Sequence, residues 1–419
     1  MHDHQQSRTQ IEELKGPRRE ISRTGCVVAE EVGCTLHCGP LHSSLQVSGE
    51  TVRHRCNFDA GSNGFSVGGL RLQQPKSQNA DVPQVGAPLH RSSTHSDSGG
   101  AQRRDVLCAG LIVADHVCKP IPLMPPPGGI TMTECLTLTL GGSASNVAVD
   151  MAKLGLSVGI AGRIGNDPFG LFVRQEMEQM GIDCQTIQVS ETADTSATLV
   201  VNVVGEDRRF IHAVGANAEF TADEVDRDLL KQYRVLYVGG FGLNPALSGD
   251  SVSALFRDAK ELGLVTVLDV VVGDPGRMPE MLAPVLPFTD YFFPNEDEAR
   301  MITGLGDPVA QAEQFRTAGA RTVVITSGGR GMVAMDDAGL LRRSAYHVQE
   351  LDATGGGDAF VAGYVYAMLQ DQDRVHRLAY GAAMGASCVR SMGATTGVFN
   401  RQELETYVNT QPAPTAPAG

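Results

Sequence analysis

Residues 234–272 read RVLYVGGFGLNPALSGDSVSALFRDAKELGLVTVLDVVV. Two apolar, β-branched runs, RVLYVGG (234–240) and LVTVLDVVV (264–272), flank SVSALFRDAKELG (251–263), whose apolar residues recur at helical spacing. A strand with one wet face alternates apolar with polar residues, whereas a strand covered on both faces reads as a continuous apolar run. Strand, amphipathic helix and strand in that order predict a parallel pair with the helix packed across it.

The unit recurs on either side. VLCAGLIV (106–113), ATLVVNVV (197–204), YFF (291–293) and TVVITSG (322–328) are further strand candidates, and NVAVDMAKLG (146–155) and FGLFVRQEMEQMG (169–181) are further helices. The expectation is an α/β domain over 105–405, a three-layer Rossmann-like mostly parallel sheet with helices on both faces. Residues 120–140 (PIPLMPPPGGITMTECLTLTL) and 195–213 (TSATLVVNVVGEDRRFIHA) interrupt the alternation as short half-polar strands with Gly- and Asp-containing turns. Together they predict a small β-sheet lid, roughly 118–140 and 195–213, although a pair of surface hairpins fits the same pattern.

The first 104 residues differ. QQPKSQNADVPQVGAPLHRSSTHSDSGGAQRR (73–104) has no hydrophobic period, and such a segment buries too little apolar surface to offset its ordering entropy. Cys34, His37, Cys38, His54 and Cys56 meet zinc-ligand spacing only loosely. Residues 1–104 are therefore expected to be a disordered or low-complexity extension, and 406–419 a flexible tail.

Bulk properties narrow the class. Over 419 residues, 42% hydrophobic and 20% charged content suit a globular enzyme. A net charge of −14 argues against a nucleic-acid partner, which needs clustered Lys and Arg. No apolar run reaches the roughly 18 residues of a membrane helix, so no membrane partner is expected. The opening MHDHQQSRTQIEELKGPRRE lacks an apolar signal core, and nine scattered cysteines favour reduced thiols, so the expected compartment is the cytoplasm.

LDATGGGDAFVAGYVYAML (351–369) carries the chemistry. Gly355, Gly356 and Gly357 directly before an apolar helix leave backbone N–H groups free, and the helix N-terminus adds partial positive charge. That suits the charge developing on a transferring phosphoryl group. Asp358, in the first turn, is placed to accept a proton from an attacking hydroxyl. An Asp capping a helix after a flexible loop is the alternative; the three glycines and the upstream Asp352 favour catalysis.

DATGGGD (352–358) resembles the D-T-x-G-A-G-D signature of the ribokinase-like, or PfkB, carbohydrate kinases, and GGSASNVAVDMAKLG (141–155) resembles the family's other signature. The resemblance covers about 105 to 405. It implies an ATP-dependent kinase with Asp358 as base and Gly355, Gly356 and Gly357 as anion hole. It also implies Mg²⁺ placed through water by Glu298 of the N-x-x-E motif with Asn295, and ATP contacts from Asn295, Thr326, Gly328 and Gly331. Acceptor contacts fall to Asp115, Gly141, Gly142 and Asn146. Asp352 would lie beside a monovalent-cation site, so K⁺ is a further expectation, as is a homodimer through the lid. In GRIGNDPFG (162–170), Asp167 reads as a structural N-cap with Pro168 at the first helical position.

Substrate identity does not follow from the likeness. Ribokinases proper have Asn two positions before the acceptor-binding Asp and Lys after the glycine pair, where this chain has Val113 and Ser143. The expected acceptor is a sugar or sugar acid, with ribose not favoured over others. A nucleoside kinase is the alternative, disfavoured by 5% aromatic content and no Trp. A non-catalytic sugar or nucleotide sensor on the same fold would be expected to lose the base or the anion hole.

Overall fold

The computed structural model describes residues 103–206 and 208–411, with three short strands in the N-terminal extension. Those strands, β1 (Leu36–Cys38), β2 (Ser43–Val47) and β3 (Glu50–His54), pair as an antiparallel meander in a unit of their own. The other residues of 1–102 and the tail from 412 lie outside the described residues, as do the side chains of the loose Cys/His set.

The second unit is built on nine strands: β4 (Arg104–Gly110), β7 (Val158–Gly165), β8 (Asp183–Ser190), β11 (Tyr233–Phe241), β12 (Val265–Val270), β13 (Tyr291–Phe292), β14 (Thr322–Thr326), β15 (Met332–Asp336) and β16 (Gly339–Arg343). Their order is β16-β15-β14-β13-β12-β11-β4-β7-β8. The six pairings from β14 to β8 are parallel, and only β15 and β16 join antiparallel at one edge.

The unbroken apolar runs have the cause inferred for them. Along β4, Val106 and Cys108 enter one core while Leu107 and Ala109 enter the other, and along β11 Val235 and Tyr237 oppose Leu236 and Val238. Each fully buried Val or Leu contributes about 1.5–3 kcal/mol relative to exposure, so both faces stabilise the sheet. The first face is covered by α1 (Ser143–Lys153), α2 (Pro168–Gln179), α8 (Gly356–Leu369), α9 (Arg374–Cys388) and α10 (Arg401–Thr410). The second is covered by α3 (Arg227–Leu230), α4 (Gly249–Glu261), α5 (Met278–Leu282), α6 (Glu296–Thr303) and α7 (Pro308–Thr317). In α4, Ser248 caps the start by accepting from Ser251 N–H at 3.1 Å, and Val252, Leu255, Phe256 and Ala259 form the buried stripe.

Four strands form a separate sheet in the order β10-β9-β5-β6: β5 (Val113–Cys118), β6 (Leu136–Gly141), β9 (Ala197–Val201) and β10 (Arg209–Ala213). This is the expected lid, and it begins earlier than 118. The run 106–113, read as one strand, is divided between two sheets. The chain turns at Gly110 (φ 133°). Buried Asn217 then clamps Ile112, accepting its N–H at 3.3 Å and donating to its carbonyl at 3.0 Å. With both backbone groups of Ile112 occupied, the β4 ladder stops and the chain enters the lid.

Candidate active site

Helices α1 and α8 start differently from the others. Their N-caps, Gly142 (φ 88°) and Gly355 (φ 77°), have positive φ and supply no side-chain bond. The other helices of at least eight residues are capped by the side chains of Asp167, Ser248, Asn295, Asp307, Asp373 and Asn400. The first-turn amides of α1 and α8 thus carry helix-end partial charge with no side chain competing for it. One glycine is partly committed: Gly356 N–H donates to the Ala353 carbonyl at 3.2 Å.

Asp358 stands in the first turn of α8, where Asn146 Nδ2 of α1 donates to its Oδ2 at 2.8 Å. Burial among protein groups pushes its pKa up to about 7, the Asn146 bond opposes the shift, and the charge of Asp115 adds to it. The other polar atom of Asn146, Oδ1, is buried without a hydrogen-bond partner among the described residues. A buried amide acceptor without a partner is suited to a hydroxyl donor.

Asp115 lies on β5 and is buried. Burial raises its pKa to about 6, against a hydrogen bond from Thr198, with Asp352 adding repulsion. Gly141 lets β6 approach it, since a Cβ there would sit 2.0 Å from Asp115 Oδ2. At Gly142 an added Cβ would meet the Leu111 carbonyl oxygen at 2.6 Å. Asp115, Gly141, Gly142 and Asn146, scattered over 32 positions of sequence by their numbering, are thereby brought close to Asp358.

Asp352 is occupied with holding the loop. Its Oδ1 accepts from Thr354 N–H at 3.0 Å and Thr354 Oγ1 at 2.6 Å, and its Oδ2 accepts from Gly393 N–H at 2.9 Å.

Asn295 and Glu298 form a reciprocal capping box at the start of α6, each side chain bonding the other's amide at 2.9 Å. The N-x-x-E pair thus caps a helix, and Glu298 is near enough to Asp358 to feel its charge. Burial lifts Glu298 to about 7, the Asn295 amide resists, and the Asp358 charge adds to the rise. A parallel bridge joins Asn295 to Thr326 at the end of β14. Gly328 (φ 55°) and Gly331 (φ 102°) shape the turn after it. Arg330 is exposed and pairs with Glu296 at 2.6 Å.

Two carboxylates were not singled out in the sequence. Asp269 of β12 accepts from Tyr237 Oη at 3.1 Å, and burial, then Asp358 and Glu298, push its pKa well above the usual range. Its signal was a lone charge inside the apolar run 264–272. Asp150 of α1 is fully buried with neither oxygen partnered among the described residues. Asp167 caps α2 as expected, accepting from Gly170 N–H at 2.8 Å. The small residues of 377–394 serve packing: a Cβ at Gly381 would touch the Phe360 ring of α8 at 3.0 Å, and at Gly385 the Gly356 carbonyl oxygen at 3.1 Å.

A doubly covered parallel sheet, a β-sheet lid and a carboxylate at the head of a glycine-capped helix are the arrangement of the ribokinase fold. The sequence profile described as pfkB family carbohydrate kinase matches residues 103–400, and the chain belongs to that family. It is 28% identical to the ribokinase of Haemophilus influenzae over 309 residues, covering 72% of this chain and 97% of that one. It is 27% identical to the aminoimidazole riboside kinase of Salmonella typhimurium over 280 residues, 64% of this chain and 88% of that one. The 2-dehydro-3-deoxygluconokinase of Bacillus subtilis is 26% identical over 296 residues, 68% and 91% of the two chains. Among solved structures, Arabidopsis thaliana ribokinase complexed with ribose and ATP superposes with a TM-score of 0.64 at 19% identity, covering 74% of this chain and all of that one. A putative ribokinase II from E. coli, in complex with ATP and Mg²⁺, gives 0.64 at 24% identity with the same coverage. Among the described residues no helix is long and apolar enough to cross a membrane.

Proposed function

We propose that this carbohydrate kinase transfers the γ-phosphoryl group of ATP to a hydroxyl of a sugar or sugar acid, with Asp358 as general base. One observation carries the reading: Asp358, lifted to about 7, is gripped by Asn146 at the head of a helix whose first amides no side chain caps. A base with that pKa is part-ionised near neutrality and able to take a proton in the transition state. As the acceptor oxygen bonds to the γ-phosphorus, Asp358 takes its proton and the bond to the bridging oxygen breaks, releasing ADP. The amides of Gly355, Gly356 and Gly357 at the head of α8 face the equatorial charge, with Gly356 contributing least because it already donates to Ala353. Asp115, the backbone of Gly141 and Gly142, and Asn146 hold the acceptor. Asn295, Thr326, Gly328 and Gly331 line the ATP side.

Glu298, backed by Asn295, is the residue to hold Mg²⁺ through water. Burial raises Asp358, Glu298 and Asp269, and the Asp358 charge adds to the rise of the other two, a site short of positive charge. Mg²⁺ keeps several of its waters and is held largely by substrate phosphates, so one carboxylate near them suffices. When bound, Mg²⁺ neutralises phosphate charge. K⁺ beside Asp352 belongs to the same proposal, with Asp352 acting through the loop it pins. Leu136, Leu199 and Ile211 are exposed on the lid face opposite Asp115, which supports a homodimer through the lid. Free thiols at all five described cysteines support a cytoplasmic setting.

The test is ATP consumption with sugars, sugar acids and nucleosides as acceptors. A sugar or sugar acid is expected to stimulate it most. Binding of sugars without turnover would favour a sensor, and preference for a nucleoside would overturn the acceptor class.

A further inference from the structure

We propose that His212 reads an acceptor hydroxyl and thereby selects a neutral polyhydroxy sugar over a sugar acid. This rests on the sugar-kinase reading above and narrows it. The lid ladder pairs Thr139 with Asp115, Asp115 with Thr198, and Thr198 with His212. Directly paired residues project from the same face of a sheet, so these four form one polar row across β6, β5, β9 and β10. The face that carries Asp115 therefore carries His212, two strand spacings or about 10 Å further along.

The row sets the proton positions. An ionised carboxylate only accepts, so the bond between Thr198 and Asp115 takes the Thr198 hydroxyl proton. Thr198 Oγ1 lies 3.0 Å from His212 Nδ1, and with its own proton directed at Asp115 it accepts from that nitrogen. The ring is then the Nδ1–H tautomer, and Nε2 is a bare acceptor. Nε2 is buried with no partner among the described residues. Desolvation lowers the pKa of His212, which keeps the ring neutral.

A lone pair waiting on the acceptor-binding face is satisfied by a substrate O–H. A substrate carboxylate brings only lone pairs to it, and meets the like charge of Asp115 in the same row. The discrimination works through ground-state contact with the acceptor, remote from Asp358, so it falls on KM rather than on kcat.

The experiment compares D-ribose and D-fructose with D-gluconate and 2-dehydro-3-deoxy-D-gluconate in the wild type, His212→Ala, His212→Gln and Thr198→Val. The wild type is expected to favour a neutral sugar in kcat/KM. His212→Ala is expected to raise that sugar's KM about ten-fold or more with kcat nearly unchanged. His212→Gln, whose amide oxygen also accepts, should restore most of the loss, and Thr198→Val, which releases the tautomer, should raise the same KM. A sugar acid as best acceptor, an unchanged KM in His212→Ala, or no rescue by Gln relative to Ala overturns the proposal. Those results leave Asp358→Asn inactive, whereas turnover surviving in Asp358→Asn would strike the kinase mechanism itself.

Discussion

The raised pKa of Asp358 comes from its surroundings rather than from its identity. Burial raises its pKa to about 7, and the hydrogen bond from Asn146 opposes the rise. The base must be ionised to act, so kcat is expected to rise with pH and level off above about pH 7 in a pH–rate profile. Asp115 contributes repulsion to the same shift, so Asp115→Asn, measured at saturating acceptor, should move that midpoint to lower pH. A midpoint left in place would show that the two carboxylates do not interact. The glycine-capped helix with Asp358 in its first turn was legible in the sequence because glycines, acid and helix are contiguous at 355–369. The Asn146–Asp358 bond was not, because it joins positions 212 apart and depends on how α1 and α8 pack.

At the scale of elements, α1 carries an unmet cost. Asp150 is fully buried and neither of its oxygens has a partner among the described residues. Burial, the largest cause, raises its pKa well above the usual carboxylate range, with Lys153 opposing and Asp358 adding. The folded protein therefore holds this proton more tightly than the unfolded chain. Its stabilising effect is complete below the unfolded pKa near 3.8 and is lost as pH rises toward the raised folded value. Asp150→Ala should accordingly gain stability relative to wild type, by roughly 1–3 kcal/mol and more at pH 8 than at pH 5.5 in urea unfolding. An equal difference at both pH values would contradict the raised pKa. The head of α8 is constrained differently: Gly355 has φ 77°, and a Cβ would lie 2.5 Å from the Ala394 carbonyl oxygen. Gly355→Ala is expected to lower stability by about 1–3 kcal/mol and to reduce turnover, read by thermal unfolding and kcat. The strand–helix alternation that foretold these elements came from periodicity alone. The split of 106–113 between two sheets escaped it, because the break is made by Asn217, far along the chain.

For the whole molecule, the sheet and both helical layers lie within 103–411, and the family match spans 103–400. A chain starting at Arg103 is expected to keep wild-type turnover, and loss of activity would give the extension a role in the site. The lid is where sequence was least informative about use: its strands were legible as half-polar runs, but the polar row across it appears only once register is fixed. Sheet, lid and helix heads bring their groups to one carboxylate, so the most direct measurement is kcat of Asp358→Asn beside the affinities for ATP and acceptor. The expected result is a fall of about 10²–10⁴-fold in kcat with both affinities kept within a few-fold. A variant that transfers phosphate at the wild-type rate would contradict the assignment of Asp358 as the base.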